Sequence, residues 1–185
     1  MSDREIEVRF LEIDVPALVD KLRALGAEEH PEQLAQEIIF YDREMKWRDQ
    51  RRLVRLRQIG DQVTIAYKHH QAEAVDGAQE IELTVDSFAQ GLALLTAIDL
   101  KPLRRQEKKR WTFELDGVSI DIDTWPKIPA FVELEGESEA ALQRTAAKLG
   151  LDWQDVNLQN ARTIIEEVYG IPVSTYETYT FSEVG

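Results

Sequence analysis

The feature that most constrains this chain is a strict alternation of charged with apolar residues, repeated in segment after segment. In Glu5-Ile6-Glu7-Val8-Arg9-Phe10, period two puts Glu5, Glu7 and Arg9 on one strand face and Ile6, Val8 and Phe10 on the other. The same period recurs at Arg55-Leu56-Arg57, in Val63 to Lys68 with the bulky apolar residues opposing Lys68, and at Glu80-Ile81-Glu82-Leu83. It continues in Lys108 to Phe113, at Ile120-Asp121-Ile122-Asp123 and at Glu133-Leu134-Glu135. Turn signals separate many of these runs: Gly60-Asp61, Asp76-Gly77 and Asp116-Gly117.

Four segments carry helical spacing instead. Val15 to Leu25 has Leu18, Leu22 and Leu25 on one stripe, with Pro16 near its start and Gly26 at its end. Asp86 to Ile98, Ser138 to Leu149 and Leu158 to Tyr169 follow, the last two stopping at Gly150 and Gly170. Antiparallel strands need a cover for their apolar faces, and amphipathic helices supply one. Alternation alone also suits an open sheet with its charged face in water. Two details favour enclosure: the charges segregate by strand into acidic pairs and basic pairs, and the pairs repeat one spacing. The expected fold is therefore α+β, a closed eight-stranded antiparallel β-barrel, or tunnel, with helices packed outside. One domain is expected over residues 1–185, with a core at 4–170 and a tail at 171–185 that closes the barrel or caps one end.

Composition narrows the chemistry. With no cysteine, disulfides and thiolate metal sites are excluded. A net charge of −13 disfavours nucleic-acid and anionic-membrane binding, and no apolar run is long enough to span a bilayer. A cytoplasmic protein is expected, and a homodimer is compatible with the sequence. Side-by-side carboxylates such as Glu5/Glu7 and Glu133/Glu135 repel one another, and a hard divalent cation relieves that repulsion; Mg²⁺ or Mn²⁺ suits oxygen donors. The basic set Arg9, Arg55, Arg57, Lys68, Lys108 and Arg110 suits a polyphosphate, since guanidinium forks bind phosphate oxygens in pairs. A triphosphate-containing small molecule needs both sets.

These residues carry a resemblance. Glu5-Ile6-Glu7-Val8-Arg9 is similar to the N-terminal ExExK signature of the CYTH superfamily, the triphosphate tunnel metalloenzymes, which include class IV adenylyl cyclases, thiamine triphosphatases and inorganic tripolyphosphatases. The similarity runs in order through Phe40-Tyr41-Asp42, Arg55-Leu56-Arg57, Tyr67-Lys68, Glu80-Ile81-Glu82, Glu107 to Arg110, Asp121-Ile122-Asp123 and Phe131 to Gly136. It implies a tunnel with metal on Glu5, Glu7, Glu133 and Glu135, with Asp123 as a further ligand. Phosphate would lie on Arg55, Arg57, Lys68, Lys108 and Arg110. Glu82 would ligate metal or orient an arginine. Two positions depart from the pattern. Arg9 stands where the signature has lysine, the catalytic position, and Phe40 stands where the family's YFD strand begins with tyrosine. Shifting by one residue offers Tyr41, on the opposite strand face. The implied function is metal-dependent triphosphate hydrolysis (nucleoside, thiamine or inorganic). The alternatives are a cyclase making cyclic AMP from ATP and a non-catalytic triphosphate binder.

Other features read more plainly. His69-His70 are strand neighbours pointing to opposite faces, hence a poor chelating pair. Lys46 to Arg52 reads as a solvated loop or tunnel rim. Trp125-Pro126-Lys127-Ile128-Pro129 reads as a lid or, equally, as a rigid connection.

Overall fold

The computed structural model describes residues 3–70 and 78–185, with side chains described for 6–69 and 79–185. The Asp76-Gly77 turn and the side chain of Glu5 lie outside the described residues. The strands are β1 (Asp3–Glu5), β2 (Glu7–Phe10), β3 (Glu28–Glu29), β4 (Gln33–Asp42), β5 (Arg52–Ile59) and β6 (Gln62–His70). They continue with β7 (Ala78–Val85), β8 (Leu100–Leu115), β9 (Val118–Thr124), β10 (Phe131–Glu135) and β11 (Thr178–Tyr179). One sheet runs β1-β7-β6-β5-β4-β8-β9-β10-β2, with β3 and β11 also paired to β8. The neighbours along this path are antiparallel; β11 joins β8 in parallel.

The sheet curls through about 204° into a half-barrel with helices packed outside, which is the α+β architecture expected from sequence. The two ends of its path are pieces of one N-terminal segment, interrupted at Ile6. Here β1 pairs with β7 and β2 pairs with β10, and no described residue does both.

Helices cover the convex face. Helix α1 (Val15–Ala24) is capped by Asp14, whose Oδ1 accepts from the Ala17 amide, and has proline in its first turn. It packs beside α4 (Glu139–Leu149), which ends at Gly150 with φ 78°, a left-handed stop that glycine takes without strain. Between them and the sheet lie Val8, Phe10, Leu22, Phe113, Ile120, Val132, Leu134 and Leu142. A second core forms where α3 (Phe88–Ala97) crosses β4, β5 and β6, over Ile38, Phe40, Val54, Leu56 and Ile65. A Cβ at Gly91 would lie 3.0 Å from Leu56 Cδ1, so glycine sets how closely α3 approaches. The short α2 (Lys46–Asp49) sits between β4 and β5. Near the C-terminus, the helix expected over Leu158 to Tyr169 is shorter and wider. Asn160 caps α5 (Ala161–Thr163), and the chain continues as a π-helical turn over Ile164–Val168. No helix of the described residues is long and apolar enough to cross a membrane.

Phe40 is fully buried under α3 in an apolar cluster. A Phe40→Tyr change adds a hydroxyl with no partner there. It should lower stability by about 1–3 kcal/mol, read as a fall in the urea midpoint, while leaving anion binding unchanged.

Candidate functional site

Because strands alternate faces, whatever opposes the helix-packed residues must line the concave side. Leu56 is in the outer core, so Arg55 and Arg57 point inward; Val8 is in the core, so Glu7 and Arg9 point inward. Strand β8 contributes Arg104, Gln106, Lys108 and Arg110, and β10 contributes Glu133 and Glu135. Lys68, Glu80, Glu82 and Asp123 complete the described part of the sequence-derived set. All of these line one cavity of about 700 Å³. Residues 158–163 and Trp125 form part of its wall.

The charges meet in two clusters. In the first, the Arg110 guanidinium grips Asp123 as a fork, Nε to Oδ1 at 2.8 Å and Nη2 to Oδ2 at 2.7 Å. It also reaches Glu133 at 3.0 Å and Asp121 at 2.5 Å. Lys108 Nζ donates to Asp123 Oδ2 at 2.7 Å. Arg9 Nη2 lies 2.7 Å from Glu7 and 2.6 Å from Glu133, and its Nη1 donates to the Gln159 carbonyl at 3.0 Å. In the second cluster, Arg57 meets Glu82 at 3.1 Å, Lys68 meets Glu80 at 2.9 Å, and Arg55 spans Glu80 and Glu82 at 3.4 Å. Glu82 thus orients arginines.

Among the described residues, eleven Arg and Lys and eight Asp and Glu line the cavity, a surplus of three positive charges inside a chain of net charge −13. The pairing shifts protonation. Burial alone would raise Glu37, yet Arg55, Lys108, Arg57 and the Gln106 amide together pull its carboxyl down to about 2. Burial likewise opposes ionisation of Glu133, and Arg9, Arg110 and Lys108 overcome it, holding the carboxyl well below its ordinary range. Lys108 moves down from its ordinary value because burial and the neighbouring Arg110 outweigh Asp123.

Several wall residues escape sequence reasoning. Glu37 is a single charge on β4, between Gln36 and Ile38, so no pair marks it; its Oε2 accepts from Gln106 Nε2 at 2.6 Å. Arg104 sits in Arg104-Arg105-Gln106-Glu107-Lys108, where polar residues at every position hide the alternation. Arg48, Arg51 and Arg52 line the cavity, so the Lys46–Arg52 loop is a rim. Trp125 is 4 % exposed, with Lys108 Nζ 5.5 Å from its ring centre, a fixed wall element rather than a free lid. The Phe40 position needs correction. Its side chain belongs to the outer core, and Tyr41 stands on the cavity wall. The two residues do lie on opposite faces, but both faces of β4 are apolar enough to hide which one is concave.

Carboxylate oxygens are the right donors for a hard divalent ion. The arrangement is not a preformed cage, however. Glu7 and Glu133 share Arg9, Asp123 is held by Lys108 and Arg110, and Glu82 by Arg55 and Arg57. Among the described residues no group of three or more Asp, Glu or His side chains converges to hold an ion.

Glu37 provides a pH test. Its depressed pKa means that its stabilisation is present above the ordinary carboxylate value of 4.5 and is lost as pH falls through about 2. Glu37→Gln should cost on the order of 3 kcal/mol at neutral pH. The gap to wild type should close between pH 4.5 and 2 in urea unfolding followed against pH.

A search of curated proteins returns no match. Among solved structures, a Pyrococcus horikoshii protein superposes with a TM-score of 0.72 at 22% identity, covering 84% of this chain and 96% of that one. A Vibrio parahaemolyticus protein named as a candidate adenylate cyclase gives 0.76 at 15% identity, over 90% of this chain and 99% of that one. A candidate adenylyl cyclase from Hippeastrum, described as having a dominant triphosphatase activity, gives 0.63 at 14% identity, over 90% and 96%. At these identities the likeness establishes the fold. Residues 3–157 match the CYTH domain family, most of the chain, and the chain belongs to that family.

Proposed function

We propose that this chain is an enzyme that binds a triphosphate-containing small molecule in its concave cavity and hydrolyses it. One observation carries the reading: a concave surface whose described residues carry a surplus of cations, in a strongly acidic chain. Such a surface attracts a compact polyanion and little else. Arg55, Arg57, Lys68, Lys108 and Arg110 would take the phosphate oxygens, with the arginine forks giving direction as well as charge. Arg48, Arg51 and Arg52 at the rim extend the positive path from the entrance inward.

Mg²⁺ or Mn²⁺ would supply further neutralisation of phosphate charge, and it belongs to this proposal as a companion of the incoming phosphates. Glu5, Glu7, Glu133, Glu135, Asp123 and Glu82 are the candidate ligands. Arg9 contributes binding rather than proton transfer, because arginine stays protonated. Lys108, unlike the arginines, can release a proton, and burial beside Arg110 makes that easier. Without a positioned base at residue 9, turnover should be slow by about 10²–10⁴-fold relative to a site that has one. The alternative is a cyclase making cyclic AMP from ATP, as the name of one structural neighbour suggests.

Incubation with tripolyphosphate, ATP and thiamine triphosphate, with product analysis, separates these activities. Phosphate release at a slow rate is the expected result. Cyclic AMP as the main product from ATP supports the cyclase, and bound but unaltered ligand in every case makes the protein a binder. Arg55→Ala with Arg57→Ala should weaken tripolyphosphate binding about tenfold or more in calorimetry. If the double variant binds like wild type, phosphate does not sit on β5.

A further inference from the structure

Arg9 occupies a position whose surroundings explain more than its charge. Its Nη2 lies 2.7 Å from Glu7 Oε1 and 2.6 Å from Glu133 Oε2, so one nitrogen bridges carboxylates from two neighbouring strands. Nη1 is fixed by the Gln159 carbonyl at 3.0 Å, and the Arg9 backbone exchanges two hydrogen bonds with Asn157. The side chain is buried, and Nε is left without an acceptor among the described residues. An orphaned buried donor is costly, and this geometry accepts that cost while aiming Nη2 between the two carboxylates. A guanidinium is always charged and weakly hydrated, and once in place it is not displaced by losing a proton. Glu7 and Glu133 are two of the carboxylates from which a divalent ion would be held, and a cation already stands between them.

We propose that Arg9 is a built-in substitute for a divalent ion at the Glu7–Glu133 corner, so that the free protein has little affinity for Mg²⁺ or Mn²⁺ there and accepts phosphate without a pre-bound metal. The proposal deepens the triphosphate reading and rests on it for the identity of the anion. The metal affinity of the free protein is independent of it. Gln159 lies beyond the residues that match the family, so the carbonyl that locks Arg9 is supplied by this chain's own C-terminal segment.

The test is Mn²⁺ titration of the full chain in the absence of phosphate, followed by the loss of the free-ion electron paramagnetic resonance signal. Wild type should bind weakly. Arg9→Gln, which releases Glu7 and leaves Glu133 engaged by Arg110 without Arg9, should bind at least about tenfold tighter, since affinity for such ions follows the charge of the ligand set. Adding Glu7→Gln to that variant should abolish the gain. Arg9→Lys should show a smaller gain in the same direction, and it decides the matter if Arg9→Gln does not fold. Wild-type affinity equal to or above that of the Arg9 variants overturns the proposal. Tripolyphosphate calorimetry in excess chelator should give measurable wild-type binding, and binding that appears only with Mn²⁺ also overturns it. A wild type that binds no tripolyphosphate with or without metal sinks the triphosphate reading instead, and the Mn²⁺ comparison still decides the role of Arg9.

Discussion

The concave face of the sheet holds together because charges on neighbouring strands neutralise one another. Taking an ion out of water costs several kcal/mol, and only close, well-directed partners repay it. Arg110 is the clearest case: a single guanidinium engages Asp121, Asp123 and Glu133 from two adjacent strands. Its position depends on the register that sets Arg110 opposite Asp123, and on the register that sets Glu133 opposite Asp121. A slip of one residue would drive these charges into the helix-packed core. The ion pairs therefore specify the alignment of β8, β9 and β10, while the apolar clusters outside supply most of the driving force.

This division explains what the sequence discloses. Wherever two like charges flank an apolar residue, as in Arg55-Leu56-Arg57, the alternation names both the cavity side and the core side. Leu56 is fully buried, as that reasoning requires. Strand β4 lacks the signal. Glu37 is followed by Ile38, Ile39, Phe40 and Tyr41, so inward and outward residues look alike, and nothing in the run marks Tyr41 as facing the cavity. A register shift between Ile39 and Phe40, opposite β8, adds to the difficulty at that point. Closure was equally hidden. Periodicity reports which way side chains face, but not whether the first and last strands meet side by side or end to end. The wide turn at Ile164–Val168 has no periodic signature that separates it from an ordinary helix; it is tied down by Glu166 accepting from the Ser174 amide at 2.7 Å.

The same pairing changes how the acidic residues are understood. From sequence, adjacent glutamates ask for a metal because nothing nearby offsets them. In the fold, the offset comes from residues distant in sequence: Arg110 for Glu133, Lys108 for Asp123, Arg55 for Glu80. Under the proposed function, affinity for an anion would arise from the surplus cations and from exchange, with phosphate oxygens replacing carboxylate oxygens on the same guanidinium groups. A site of this kind is held in shape before its ligand arrives, which lowers the ordering cost of binding.

The division of the N-terminal segment at Ile6 has a consequence for how the chain is made. Phe10 pairs with Val132 and Glu7 with Glu135, partners more than 120 residues downstream. At about 5–20 residues per second, this segment waits while the intervening residues are made. Contacts of such long range also slow the folding search itself. In that interval Val8 and Phe10 have neither their sheet partner nor the cover of α4, and the charges of Glu5, Glu7 and Arg9 on either side of them keep the waiting strand soluble and discourage pairing with other chains. The residues that shape one end of the cavity thus also act as gatekeepers of the nascent chain.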